Sequence, residues 1–117
     1  MTFLREHAEA VAMVAHIMRR ADVARAERPI IHVRDVKCGR WINRANGIVL
    51  PLWLFSRTEP GYFEWYVGHE LAHWLIDRPG HDVQFQLMLA WLCPDAWHWE
   101  STYKPRMYSQ ALTLLSS

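Results

Sequence analysis

Two histidines and a glutamate stand close together in the segment His69-Glu70-Leu71-Ala72-His73. Residues four apart on an α-helix lie one above the other, with Cβ atoms about 6 Å apart, so both imidazoles can direct a ring nitrogen at one point. Zinc binds imidazole nitrogen at about 2.0–2.1 Å, and a catalytic zinc site keeps about three protein ligands and one open position. The pair therefore predicts a zinc (Zn²⁺) site that needs one more protein ligand.

Glu70 follows the first histidine directly, roughly 100° further round a helix of about 3.6 residues per turn. This angle places its carboxylate beside the open position without forcing it to coordinate the metal. A carboxylate there can take a proton from water while the metal polarises a peptide carbonyl, which is the chemistry of HExxH peptidases. The motif predicts hydrolysis of peptide bonds with Glu70 as the general base.

The third ligand must come from outside the motif. The candidates are His81, Asp82, Asp95, His98 and Glu100. His81 is favoured because Pro79-Gly80 reverses the chain after His73, and a short loop can then return its imidazole to the metal at low entropic cost. The metzincin spacing is excluded, since its glycine and third histidine would fall at Ile76 and Gly80. A carboxylate from a later helix, Asp95 or Glu100, is the alternative.

Hydrophobic periodicity predicts the elements that position these residues. Helices are predicted from 2 to about 24 with Thr2 as N-cap, from a cap at Ser56 or Thr58 to about 77, over 82–92, and over 102–115. Strands are predicted over 30–34, 38–43 and 48–55, with a turn at Asn46-Gly47. Pro51 lacks an N–H, which favours an edge position for the last strand. The expected fold is α+β, a small antiparallel or mixed sheet with an active-site helix and surrounding helices.

Composition bounds the class of protein. The chain has 117 residues, of which 51% are hydrophobic and 21% charged, so a single globular domain over 1–117 is expected. A net charge of +1 without a long basic run does not indicate a nucleic-acid groove, although short arginine-rich patches leave such a partner open. The first twenty residues lack an uninterrupted apolar stretch, which predicts a cytoplasmic protein with no membrane segment. Cys38 and Cys93 are too few and too distant to indicate a disulfide scaffold, so reduced thiols are expected.

The sequence resembles the SprT-like and WLM group of small zinc metallopeptidases over roughly residues 30 to 92. The resemblance rests on four segments: His69-Glu70-Leu71-Ala72-His73, His81-Asp82-Val83-Gln84-Phe85, Cys38-Gly39-Arg40-Trp41 and Ile48-Val49-Leu50-Pro51. It implies a minimal zincin fold, a zinc site of three histidines and, in some members, proteolysis of DNA-bound proteins. The chain departs from the group at Asp82, where glycine is frequent, and in lacking a cysteine-rich zinc ribbon after the catalytic part.

Further residues are candidates for supporting roles. Asp82 either caps its helix or accepts the distal N–H of a ligand histidine. Tyr103, Tyr108 and His98 are candidates to donate to the oxyanion of the tetrahedral intermediate. Three aromatic side chains at helical positions are predicted to be core: Trp74, Phe85 and Trp91. A protein or peptide substrate is expected to pair its backbone with an exposed edge of the strand over 48–55.

Two other functions fit the same residues. The metal could be purely structural and complete the fold of a non-catalytic module. Against this, a structural site has no need of a carboxylate such as Glu70 beside an open position. The chain could also be a nucleic-acid or partner-binding adaptor that keeps a zincin fold without turnover. A basic face studded with aromatic side chains would support that function, and only Arg19-Arg20 and the segment 40–44 are arginine-rich.

Overall fold

The computed structural model describes residues 2–23 and 27–95, which form three helices and a three-stranded sheet. The elements follow in the order α1 (Leu4–Arg20), β1 (Ile31–Arg34), β2 (Arg40–Asn43), β3 (Gly47–Pro51), a short 3-10 helix (Leu52–Ser56), α2 (Tyr62–Ile76) and α3 (Val83–Leu92). The predicted helix over 102–115 lies outside the described residues. No helix in the described ranges combines the length and the hydropathy that crossing a membrane requires.

The sheet has the order β1-β3-β2 and is mixed. β3 pairs in parallel with β1, where Ile31 lies opposite Ile48, and antiparallel with β2, where Trp41 lies opposite the same Ile48. Each residue of β3 is buried, as expected for a central strand with neighbours on both sides. The α+β fold class with a small mixed sheet is thereby confirmed.

The prediction of an edge strand over 48–55 is wrong. β3 is the central strand, and it ends at Pro51, opposite Arg34 of β1. A proline at the last position of a strand costs little, because the chain leaves the ladder where its missing N–H would be needed. The following residues Leu52–Ser56 form a 3-10 helix instead of continuing the strand. β2 is an edge strand, and it is the one that runs beside α2.

The predicted helix caps at Thr2, Ser56 and Thr58 are also wrong. α1 begins after Phe3 without a side-chain cap. α2 begins after Gly61, whose φ of 81° lies in the left-handed region that favours glycine, so a backbone turn and not a hydroxyl starts the helix. The Ser56 hydroxyl donates to the Trp53 carbonyl instead.

α2 is the central helix of the fold. It packs against α1, α3, β2 and β3, and for this reason most of its side chains are buried. Trp74 and Phe85 are fully buried core residues, as predicted. Trp91 is not, since 65% of it is exposed and its indole N–H donates to the Ala21 carbonyl at 2.8 Å. A helix enclosed on most sides keeps the side chains of its remaining face in fixed positions.

Candidate metal centre

Three histidines converge at the end of α2. His69 and His73 lie four residues apart on that helix, and His81 precedes α3. One ring nitrogen of each histidine lies within 4.8 Å of the corresponding nitrogen of the other two, and 3.2 Å separates the Nε2 atoms of His69 and His81. Two ligands held at about 2.05 Å in a tetrahedral site would be about 3.3 Å apart. His69 and His81 are therefore spaced as two ligands of one tetrahedral metal would be, and His73 offers a nitrogen close to both.

The loop after α2 orients His73. Its Nδ1 lies 3.2 Å from the Arg78 carbonyl oxygen, so the Nδ1–H can donate there and leave Nε2 with a lone pair for a metal. The Arg78 guanidinium in turn donates to the Asp82 carboxylate at 2.6 Å and to the Gln84 side chain. These contacts tie the loop to the start of α3 and so hold the carbonyl that orients His73.

The same loop delivers His81 to the other two histidines. α2 stops at Asp77, which has a left-handed φ of 56°, and Pro79-Gly80 then turns the chain back. The Gln86 amide donates to the His81 carbonyl at 2.8 Å, and Gln86 is 2% exposed. Because Gln86 belongs to α3, the backbone of His81 is fixed to a packed helix and not only to a loop.

Phe85 forms the floor beneath the three imidazoles. Its ring stacks on that of His73 with centroids 4.3 Å apart, and it meets the rings of His69 and His81 at 4.9 Å each. Phe85 is fully buried, so the close packing around its ring leaves it little room to move. One apolar side chain from α3 thus limits the orientations of all three histidines.

Trp41 closes the site from the side of the sheet. Its indole stacks against His73 at 6.5 Å with an interplanar angle of 27°. The open cleft above the imidazoles has a volume of about 290 Å³. Its lining consists of the three histidines, Glu70, Gly39 just before β2, the β2 residues Arg40 and Trp41, and the loop residues Pro79 and Gly80. An edge strand and a glycine-containing loop therefore flank the three histidines.

Glu70 lines this cleft and is 6% exposed. Its carboxylate is not part of the cluster of converging ligand atoms, which consists of the three histidines alone. The side chain therefore stands beside the imidazoles and outside their point of convergence, as expected from its angle on the helix. This arrangement suits a proton acceptor better than a fourth ligand.

A larger groove lies elsewhere on the described part of the chain. It measures about 590 Å³ and is lined by apolar side chains and one amide: Val23, Leu75, Ile76, Gln84, Leu87, Met88 and Trp91. None of these side chains is ionisable, so none can act as a general acid or a general base. The smaller cleft at the histidines is therefore the candidate site for chemistry.

The other predicted site residues have different outcomes. Asp82 caps α3, because its carboxylate accepts the Phe85 N–H at 3.0 Å. Asp95 is exposed and does not join the histidine cluster. The remaining candidates lie outside the described residues: His98, Glu100, Tyr103 and Tyr108. Their proposed roles stay predictions.

The cap makes a testable contribution that depends on pH. The pKa of the Asp82 carboxyl is lowered, first by the Phe85 N–H and then by the charge of Arg78. Stability from this carboxylate is present above its ordinary pKa of about 4 and is lost as pH falls through the lowered value. We expect Asp82→Ala to lower the melting temperature at pH 7, because the cap is lost.

Asp82→Asn is the matched control, since asparagine also caps helices but does not titrate. It should melt close to the wild type at pH 7 and lose less stability between pH 5 and pH 3. Melting curves of the wild type and Asp82→Asn at pH 7, pH 5 and pH 3 measure both effects. If Asp82→Ala melted like the wild type at pH 7, the cap would be energetically unimportant.

Several groups of the site were not predicted from the sequence. Trp41, Arg78 and Gln86 hold or enclose histidines, but each does so through a tertiary contact or through its main chain. A carbonyl carries no residue-specific signal, so the Arg78 contact has no signature. Phe85 is the residue of this group that the sequence singles out, because it stands four residues after His81 at the start of a predicted helix.

No protein-family profile and no curated protein sequence matches this chain. Among solved structures, the crystal structure of the metallopeptidase zymogen abylysin of Pyrococcus abyssi is similar, with a TM-score of 0.62. The match covers 92% of this chain and 95% of abylysin at 17% sequence identity. At that identity the likeness concerns the fold. The chain thus shares the fold of that protein, and within this fold a group of three histidines could hold a metal ion.

Proposed function

We propose that this protein is a zinc-dependent endopeptidase of the HExxH type, with His69, His73 and His81 as metal ligands and Glu70 as general base. The observation that carries the proposal is the convergence of three ring nitrogens within 4.8 Å beside a buried carboxylate in an open cleft. Three neutral imidazoles favour zinc, and the absence of thiolate and of a fourth protein ligand from the described cluster suits a catalytic site.

The side chains divide the work of hydrolysis. Zinc, when bound by the three histidines, would polarise the scissile carbonyl and acidify the attacking water. Glu70 would accept the proton of that water and pass it to the leaving amine. Phe85 and the Arg78 carbonyl would keep the imidazoles in ligating orientations throughout.

The substrate is proposed to be a protein or peptide in extended conformation. β3 cannot pair with a substrate, contrary to the sequence prediction, because β1 and β2 occupy both of its sides, and β2 offers the free edge instead. The outer edge of β2 has no neighbouring strand in the described part of the sheet, and Gly39, Arg40 and Trp41 bring it to the cleft. Main-chain pairing there would supply affinity with little sequence preference.

The likeness to a metallopeptidase zymogen supports peptidase activity. We also propose that the chain is a cytoplasmic member of the SprT-like or WLM group, on the strength of the four sequence segments. A role on DNA-bound proteins has no support beyond that resemblance.

Metal analysis followed by proteolysis tests the function. Protein purified without added zinc should contain about one equivalent of zinc per chain and should cleave casein or a panel of unfolded proteins. Removing the metal with a chelator should abolish cleavage, and adding zinc back should restore it. A protein that holds zinc but cleaves nothing in the panel would favour the non-catalytic module, and one that binds no zinc would contradict the whole assignment.

A further inference from the structure

Gly39 brings the start of β2 unusually close to its neighbours. A Cβ atom at this position would lie 2.6 Å from the Val49 carbonyl oxygen and 2.9 Å from Cε1 of Tyr66. Separations this short do not occur for real side chains, so any other residue would push β2 away from β3, α2 or both. Gly39 also lines the metal cleft. The close approach therefore occurs at the wall of the candidate site.

Two side chains fasten this segment to the rest of the fold. The Gly39 N–H donates to the Tyr66 hydroxyl at 2.7 Å. The Trp53 indole N–H donates to the Lys37 carbonyl at 2.8 Å, and the Trp53 ring packs edge-on against Tyr66 at 5.6 Å. Tyr66 belongs to α2 and precedes Glu70 by four residues, so the two side chains lie on the same face of the helix.

The Tyr66 hydroxyl keeps this contact over a wide pH range. Burial raises the pKa of Tyr66 to about 12, and the negative charge of Glu70 contributes to the same shift. The phenol consequently stays neutral at neutral pH, and its hydroxyl oxygen remains available to accept the Gly39 N–H. Its effect on the site is positional.

We propose that Tyr66 is a positioning residue that sets the distance between the edge of β2 and Glu70, and thereby the placement of an extended peptide over the metal. The inference rests on the proposed function, because it assigns Tyr66 a task in the same site. The space between β2 and the Glu70 carboxylate must admit the substrate backbone and the attacking water together. A misplacement of about 1 Å in such a site costs as much as about a hundredfold in rate.

The variant Tyr66→Phe tests this proposal. The affinities of the zinc-loaded wild type and variant for two hydroxamates are measured by calorimetry. Acetohydroxamate contacts little besides the metal, whereas a tripeptide hydroxamate also lies along β2. We expect the variant to bind the tripeptide hydroxamate at least about tenfold more weakly, and acetohydroxamate within about twofold of the wild type. Zinc content should be unchanged. Where hydrolysis is measurable, kcat/KM should fall about tenfold or more while its pH profile keeps its shape.

Tyr62→Phe is the matched control, since it removes a hydroxyl one turn earlier on α2 from a ring that packs against Arg57 and Trp53. It should bind both hydroxamates like the wild type. Equal binding of the tripeptide hydroxamate by Tyr66→Phe and the wild type would overturn the proposal, and so would parallel weakening of both probes with loss of zinc.

Binding does not require turnover, so the two proposals can fail separately. A wild type that binds both probes and hydrolyses no peptide would contradict the proposed function and leave the role of Tyr66 measurable. If Tyr66→Phe did not fold, Gly39→Ala is the second variant, because its added methyl group would push β2 away from Val49 and Tyr66. It should show the same selective loss of tripeptide binding, and wild-type affinity in Gly39→Ala would overturn the proposal.

Discussion

Glu70→Gln should lower peptide hydrolysis by at least about a hundredfold, the lower end of what one positioned acid–base group contributes. Glutamine keeps the size of the side chain but cannot accept a proton from water. The three histidines and Phe85 are untouched by the change, so zinc content and melting temperature should stay close to those of the wild type. Initial rates on any substrate found for the wild type, together with metal analysis, measure both effects.

Glu64→Gln is the appropriate control for this change. Glu64 lies on the same helix, but its carboxylate accepts from Arg20 at 2.9 Å and does not line the cleft. Its loss should affect stability more than hydrolysis. If Glu70→Gln retained most of the activity, the proteolysis would not come from this site, and a zinc-stabilised module would explain the histidines better.

His81→Ala should reduce zinc far below the equivalent that the wild type is expected to hold, and hydrolysis should disappear with it. Two imidazoles from one helix do not complete the ligand set of a catalytic zinc site, which needs about three protein ligands. Asp82 keeps its cap in this variant, so α3 should still form. Metal analysis after dialysis, supported by circular dichroism to verify folding, measures the effect.

His16→Ala provides the comparison, because His16 is an exposed imidazole on α1 that takes no part in the cluster. It should keep the full zinc content. Retention of about one equivalent by His81→Ala would mean that another group completes the site, and Asp95 and Glu100 are the first carboxylates to substitute in that experiment.

The geometry of the histidine pair could be predicted because it is local. A spacing of four residues fixes the relation of two side chains once the helix forms, whatever surrounds it. The return of His81 was also accessible, since Pro79-Gly80 allows little besides a tight reversal. The proximity of the three imidazoles is a property of the fold. Metal binding and catalysis by these residues remain predictions.

The position of β3 could not be predicted in the same way. The order β1-β3-β2 depends on which strands find partners, and Pro51 looks the same in sequence at an edge as at the end of a central strand. The predicted helix caps were wrong for a related reason. α2 begins at a backbone turn at Gly61, and not at a side-chain cap from Ser56 or Thr58. Such choices are decided by tertiary packing, which overrides local preference.

The different surroundings of the two cysteines make the protein suitable for single-site labelling. Burial raises the pKa of the Cys93 thiol to about 12, so at pH 8 almost none of it is in the thiolate form that attacks maleimides. Cys38 is exposed and directly precedes Gly39 at the wall of the cleft. A maleimide fluorophore should therefore attach to Cys38 without any engineered cysteine, and it would report on the binding of ligands in the cleft beside the three histidines.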